Sequence, residues 1–137
     1  MSDKIAFIGV GNMGNPMAEN LLKSGKKIKV FDVSNEMIEQ AKKKGLNTAD
    51  SIESLINNEI STVITMLPEG KHSKEIYLGD SGIINKVSKD CLLIDCSTID
   101  IETSKEIGKA ANNQGIMMID APVSGGVMGA QKATLNI

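Results

Sequence analysis

Short apolar runs alternate with amphipathic stretches along the whole chain. The runs are Ile5–Ile8, Ile28–Phe31, Thr62–Thr65, Leu92–Ile94 and Ile116–Ile119, each bounded by turn residues. They are apolar nearly throughout, which predicts parallel strands covered on both faces. Between them, Asn12 to Lys23 sets Met13, Met17, Leu21 and Leu22 on one helical face, with Pro16 in the first turn and Gly25 as the expected C-cap. Ser34 is placed to cap a helix through Met37, Ile38 and Ala41 that stops at Gly45, and Ser51 to cap a shorter one through Ile52, Leu55 and Ile56. Glu69–Leu78, ending at Gly79, and Ile101–Asn112, with Ile107 and Ala111 facing inward, read as two more helices. Strand and helix alternating in this way predict an α/β fold with right-handed crossovers, one domain over residues 1–137. The tail Ala133–Ile137 reads as a strand just beginning, the pattern of a fragment or truncated product.

The turn after the first run is Gly9-Val10-Gly11-Asn12-Met13-Gly14, a G-x-G-x-x-G between a strand and a helix. Gly9 permits the tight turn, Gly11 lets backbone approach a ligand without an intervening Cβ, and Gly14 allows close helix–strand packing. The amides of Asn12 and Met13, at the positive end of a helix, then suit a pyrophosphate. Asp32 ends the second run, close to where an acidic residue can accept both ribose hydroxyls of an adenosine. Its charge would repel a 2′-phosphate, and Val33-Ser34-Asn35 supply no cation to offset it. The unit Ile5–Asp32 therefore predicts a Rossmann-type doubly wound parallel sheet that binds a nicotinamide dinucleotide, NAD rather than NADP.

In open parallel sheets ligands bind outside the carboxyl ends of the strands. The other runs are followed there by Met66-Leu67-Pro68, by Asp95-Cys96-Ser97-Thr98, and by Asp120-Ala121-Pro122-Val123-Ser124-Gly125-Gly126. Small, hydroxylic and Gly/Pro residues on one edge suit a flat nicotinamide and a small polar substrate. The Ser124 hydroxyl with the Gly125 and Gly126 amides can form a nest for a carboxylate.

Composition narrows the partners. Lys and Arg number 15 against 17 Asp and Glu, with two Phe, one Tyr and no Trp, so no basic aromatic-interleaved surface for nucleic acid is expected. No run is long enough to span a membrane, and the first residues carry no signal-peptide pattern, so a cytoplasmic protein is expected. Cys91 and Cys96 lack metal-ligand spacing and read as reduced, buried thiols; no metal is expected. Of the eight methionines, Met13, Met17, Met66, Met117 and Met118 read as core or cofactor-lining. The lone His72, just after Met66-Leu67-Pro68, reads as a surface residue at a helix N-terminus.

The run Gly9 to Leu21 with Met66-Leu67-Pro68, Asp95-Cys96-Ser97-Thr98 and Asp120 to Gly126 resembles the β-hydroxyacid dehydrogenases, in particular the 3-hydroxyisobutyrate dehydrogenase branch. The resemblance implies hydride transfer between a nicotinamide and a β-hydroxy acid. It implies that Val10, Asn12 and Met13 line the pyrophosphate turn, Asp32 the adenosine ribose, Leu67 and Pro68 the cofactor's flank, and Thr98 the nicotinamide ribose. Ser124, Gly125 and Gly126 would hold the substrate carboxylate. Glyoxylate, succinic semialdehyde and tartronate semialdehyde reductases are alternatives within the resemblance, although Phe31-Asp32 departs from the Asn-Arg of the 6-phosphogluconate and NADPH-dependent glyoxylate reductase relatives. The family's catalytic lysine, in Gly-x-x-x-Lys-x-x-x-Asn on a later helix, and its C-terminal helical domain, through which the parent forms homo-oligomers, have no counterpart in residues 1–137. The expectation is thus an incomplete cofactor-binding portion, inactive alone, with an uncovered sheet edge and low stability. An inactive NAD-binding remnant is a further alternative. A methyltransferase sharing the glycine turn is disfavoured by Gly14 and the Ser-Gly-Gly loop.

Overall fold

The computed structural model describes residues 3–137. The chain runs β1 (Lys4–Ile8), α1 (Gly14–Lys23), β2 (Lys27–Phe31), α2 (Asn35–Lys43), β3 (Asn47–Thr48), α3 (Ile52–Leu55), β4 (Ile60–Thr65), α4 (Gly70–Leu78), a 3-10 turn (Ile83–Asn85), β5 (Leu92–Asp95), α5 (Ile101–Asn113), β6 (Met117–Asp120) and α6 (Gly126–Lys132). The strands form one six-stranded sheet ordered β3-β2-β1-β4-β5-β6, with every pairing parallel. This is the doubly wound order, whose strand direction of travel reverses between β1 and β4.

Alternation along β1 divides the core. Ile5 and Phe7 join Val10, Ala18, Ile28, Val30, Ala41 and Leu46 beneath α1 and α2. Ala6 and Ile8 join Val63, Tyr77, Leu93, Ile107 and Ala111 beneath α4 and α5. Helix caps follow the sequence expectation: the Ser34 side chain accepts from the Met37 amide, and Ser51 forms a reciprocal capping box with Ser54. Helix α1 closes on Gly25, whose amide bonds to the Leu22 carbonyl at 3.0 Å while Lys26 N–H reaches the Leu21 carbonyl at 3.1 Å. That paired closure needs the left-handed φ of 89° that Gly25 supplies.

Several expectations are corrected. The last run is not covered on both faces: Met118 packs against the α5 side, but Met117 and Ile119 are 69% and 45% exposed. No element lies over that part of the sheet among the described residues, so Met117 is not a core methionine. The tail Ala133–Ile137 is not a sheet strand: it follows a short helix, Gly126–Lys132, and its Thr134 amide bonds back to the Gly129 carbonyl at 2.9 Å. The chain then doubles back, so that Asn136 makes an isolated antiparallel bridge with Ser124. Helix α6 packs on α1 through its small buried residues Gly129 and Ala130, where Asn20 Nδ2 donates to the Ala130 carbonyl at 2.7 Å. Helix α1 begins at Gly14, two positions later than its sequence pattern, because residues 9–13 are given over to the turn.

Candidate functional site

The turns after β1, β4, β5 and β6 start from one level. The first residue after each of these four strands continues the parallel ladder by donating to the last residue of a neighbour. Gly9 N–H bonds to the Phe31 carbonyl at 3.0 Å, Met66 to Ile8 at 2.9 Å, Cys96 to Thr65 at 2.8 Å and Ala121 to Asp95 at 2.9 Å. Backbone hydrogen bonds thus hold the turns side by side before any side chain contributes.

The three glycines of the first turn play unequal parts. A Cβ on Gly9 would collide with the Met66 carbonyl, and one on Gly14 with the carbonyl of Gly9. Both positions are dictated by the packing of the chain on itself, and Gly9 also has φ 97°. A Cβ on Gly11 would meet nothing within 4 Å. No protein atom excludes a side chain there, so the space it leaves suits a ligand drawn close to the backbone. Asn12 is exposed, and neither the Asn12 nor the Met13 amide finds an acceptor among the described residues. Helix α1 that follows has no acidic residue in its first turn, leaving its positive end uncompensated.

Asp32 is fixed from two sides. Its Oδ2 accepts the Val10 amide at 3.0 Å and its Oδ1 the Ser34 amide at 2.9 Å. Each oxygen retains a lone pair for an external hydroxyl. The side chain of Val10 is wholly buried, so its part in this turn is played by its amide, which is committed to Asp32.

Gly9, Gly11, Asn12, Met13, Gly14, Asp32, Met66, Leu67 and Pro68 line a single cleft of about 450 Å³, within the range of small-molecule and cofactor sites. Residues that sequence reasoning missed complete it. Val33 and Met37 extend the wall beyond Asp32, and His72, Glu75 and Ile76 reach it from α4. His72 is therefore half-buried at the cleft rather than on the outer surface, although it does lie in the first turn of a helix. Its position four residues after Pro68 was the available signal; the direction in which α4 presents it was not readable.

The remaining sequence candidates lie outside this cleft. Thr98 is exposed on the turn after β5, and Ser124, Gly125 and Gly126 are exposed at the start of α6. The Ser124 amide is bonded to the Asn136 carbonyl at 2.9 Å, so a nest here could use only the two glycine amides and the Ser124 hydroxyl. Cys91 and Cys96 are buried free thiols. Burial, then the carboxylates of Asp95 and Asp120, push Cys96 up to about 11, so it is neutral at ordinary pH and is not a nucleophile. Among the described residues no His, Cys, Asp and Glu side chains cluster as a metal site, and no helix is long and apolar enough to cross a membrane.

Comparison with known proteins gives concordant matches. A family model described as the NAD binding domain of 6-phosphogluconate dehydrogenase matches residues 4–137. The chain is 46% identical over 132 residues to the 3-hydroxyisobutyrate dehydrogenase of Pseudomonas aeruginosa, covering 96% of this chain and 44% of that protein. Among solved structures, 3-hydroxyisobutyrate dehydrogenase of Mycobacterium tuberculosis with L-serine aligns at a TM-score of 0.90 and 37% identity, over 98% of this chain and 45% of that one. Psf3 in complex with NADP+ and 2-OPP aligns at 0.88 and 28% identity, over 96% and 46%. The chain spans less than half the length of these relatives.

Proposed function

Because the chain belongs to the family defined by the NAD binding domain of 6-phosphogluconate dehydrogenase, we propose that residues 1–137 are the dinucleotide-binding domain of a β-hydroxyacid dehydrogenase and that the cleft takes NAD. In this reading the Asn12 and Met13 amides receive the pyrophosphate over Gly11. Asp32 receives the adenosine ribose, Val33 and Met37 flank the adenine, and Met66, Leu67 and Pro68 run beside the cofactor. Thr98 stands at its nicotinamide ribose. The nicotinamide, when bound, supplies the hydride acceptor or donor.

The observation that carries the reading is the conjunction of Gly11 and Asp32. One leaves the backbone bare where no protein atom requires it, and the other presents a carboxylate pinned by two amides with lone pairs to spare. The same pinned charge favours NAD: a 2′-phosphate would face a carboxylate that cannot swing away without breaking both hydrogen bonds. The NADP+ bound by Psf3 makes this discrimination the point to test.

The substrate is a small β-hydroxy acid such as 3-hydroxyisobutyrate, its carboxylate met by Ser124, Gly125 and Gly126. The titratable side chains lining the cleft are Asp32, after β2, and His72 and Glu75 on α4. In this reading the group that moves the alcohol proton lies outside residues 1–137, and these residues supply the cofactor cleft. Such a group contributes on the order of 10²–10⁴ in rate.

Calorimetric titration tests the reading. NADH should bind with at least roughly tenfold preference over NADPH, about 1.4 kcal/mol, and Asp32→Ser should narrow the gap. Equal affinity for the two would remove the role given to Asp32. Failure of both to bind at millimolar concentration would remove the cofactor reading altogether.

A further inference from the structure

A chain of polar groups runs through the core directly behind the Met66-Leu67-Pro68 turn. Tyr77 on α4 and Thr65 at the end of β4 are wholly buried, and Asp95 and Ser97 are each 1% exposed. Thr65 Oγ1 lies 2.7 Å from the Tyr77 hydroxyl and donates to Asp95 Oδ1 at 2.9 Å. With the Thr65 proton committed to the carboxylate, Tyr77 is the donor of the first bond. Asp95 Oδ1 also accepts the Ser97 amide at 3.0 Å, and Ser97 Oγ accepts the Leu67 amide at 2.8 Å. The second carboxylate oxygen, Oδ2, is buried with no partner among the described residues.

Burying this many polar groups is costly where apolar ones would fit, so the network calls for a reason beyond stability. Its connectivity gives one. Asp95 joins two turns that leave the sheet from different strands, and the chain ends on the backbone of Leu67. The Leu67 side chain in turn lies 3.1 Å from where a Cβ on Gly9 would stand, against the glycine turn. Burial, and then the Asp95 charge, hold the Tyr77 phenol well above its ordinary range, so it remains a donor at any ordinary pH.

We propose that Tyr77, Thr65, Asp95 and Ser97 are positioning residues that hold the Leu67-Pro68 and Thr98 turns in place for the nicotinamide half of the cofactor, leaving the adenosine half to the glycine turn and Asp32. The inference rests on the dinucleotide reading above. It predicts a division of labour that a merely structural network would not produce, since general destabilisation weakens every ligand together.

The test titrates NADH, and ADP as the cofactor without its nicotinamide nucleoside, against the 137-residue chain and its variants. The unmodified chain should bind NADH more tightly than ADP. Ser97→Ala should weaken NADH by roughly tenfold and Tyr77→Phe by about threefold, with ADP unchanged within about twofold. Hydrogen exchange without ligand provides the second readout: in Ser97→Ala the Leu67 amide should lose protection while those of Phe7 and Val30 keep theirs. Parallel loss of NADH and ADP, loss of neither, or NADH no tighter than ADP in the unmodified chain would each overturn the inference. Failure of the unmodified chain to bind even ADP would instead overturn the dinucleotide reading beneath it, and this inference with it.

Discussion

The two flanks of the sheet carry equally distinctive turns but are finished to different degrees. On one flank, β1 and β2 are roofed by α1 and α2, the glycine turn is locked by its own packing, and Asp32 is held by two amides. On the other, β6 leaves Met117 and Ile119 open, and Ser124-Gly125-Gly126 stands exposed at the start of a short helix. The first flank is organised by its own packing; the second is left open among the described residues. A motif in sequence therefore marks a place where chemistry can be built, while burial decides whether it has been.

The largest expected effect contrasts the two flanks directly. Phe7→Ala empties a fully buried position and should cost about 3–5 kcal/mol in urea unfolding, whereas Met117→Ala should stay within about 0.5 kcal/mol. A comparable loss at Met117 would mean that the open face is covered in solution. The glycines give the next step. Gly14→Ala drives a Cβ into the Gly9 carbonyl and should cost about 2–3 kcal/mol, while Gly126→Ala, strained only by φ 65°, should cost about 1 kcal/mol. Gly11→Ala should barely move the unfolding midpoint yet weaken NADH, since its Cβ meets no protein atom.

Alkaline pH gives the most localised effect. The buried thiols of Cys91 and Cys96 are both pushed up from 9.0 to about 11, chiefly by burial. A folded-state value raised above the unfolded one means that stability is complete below about pH 9 and falls as pH rises through about 11. Both residues flank β5, so the Cys91→Ala/Cys96→Ala variant should flatten the decline measured by urea unfolding across that window. An unchanged slope would assign the alkaline loss elsewhere.

Legibility in the sequence followed the same divide. The Gly9–Gly14 turn, Asp32 and the caps at Ser34 and Ser51 were readable because their partners lie a few residues away or in one βαβ unit. Strand β3 was not, since Asn47 and Thr48 are two polar residues without periodicity, paired to β2 only through tertiary placement. Helix α6 escaped because two of its seven residues, Gly126 and Gly129, weaken helix propensity. Its anchor, Asn20 on α1, lies 110 positions away. The exposed face of β6 was misread because an apolar run reports how hydrophobic a strand is, not what lies over it. His72, Glu75 and Ile76 entered the cleft through the orientation of α4, and the Tyr77–Asp95 chain through a pairing of β4 with β5 that no local pattern encodes.

The row of hydrogen bonds from Gly9 to Ala121 makes strand length a functional variable. Each turn begins where its strand meets the last carbonyl of its neighbour. Inserting one residue within β4 would lift the Met66-Leu67-Pro68 turn by about 3.3 Å and swap which of its side chains face the cleft. Point substitutions in the turns can retune the site, but insertions or deletions in the strands would dismantle it. Apart from the packing-locked Gly9 and Gly14, variation in this domain should therefore be tolerated as spelling within the turns and rejected as length within the strands.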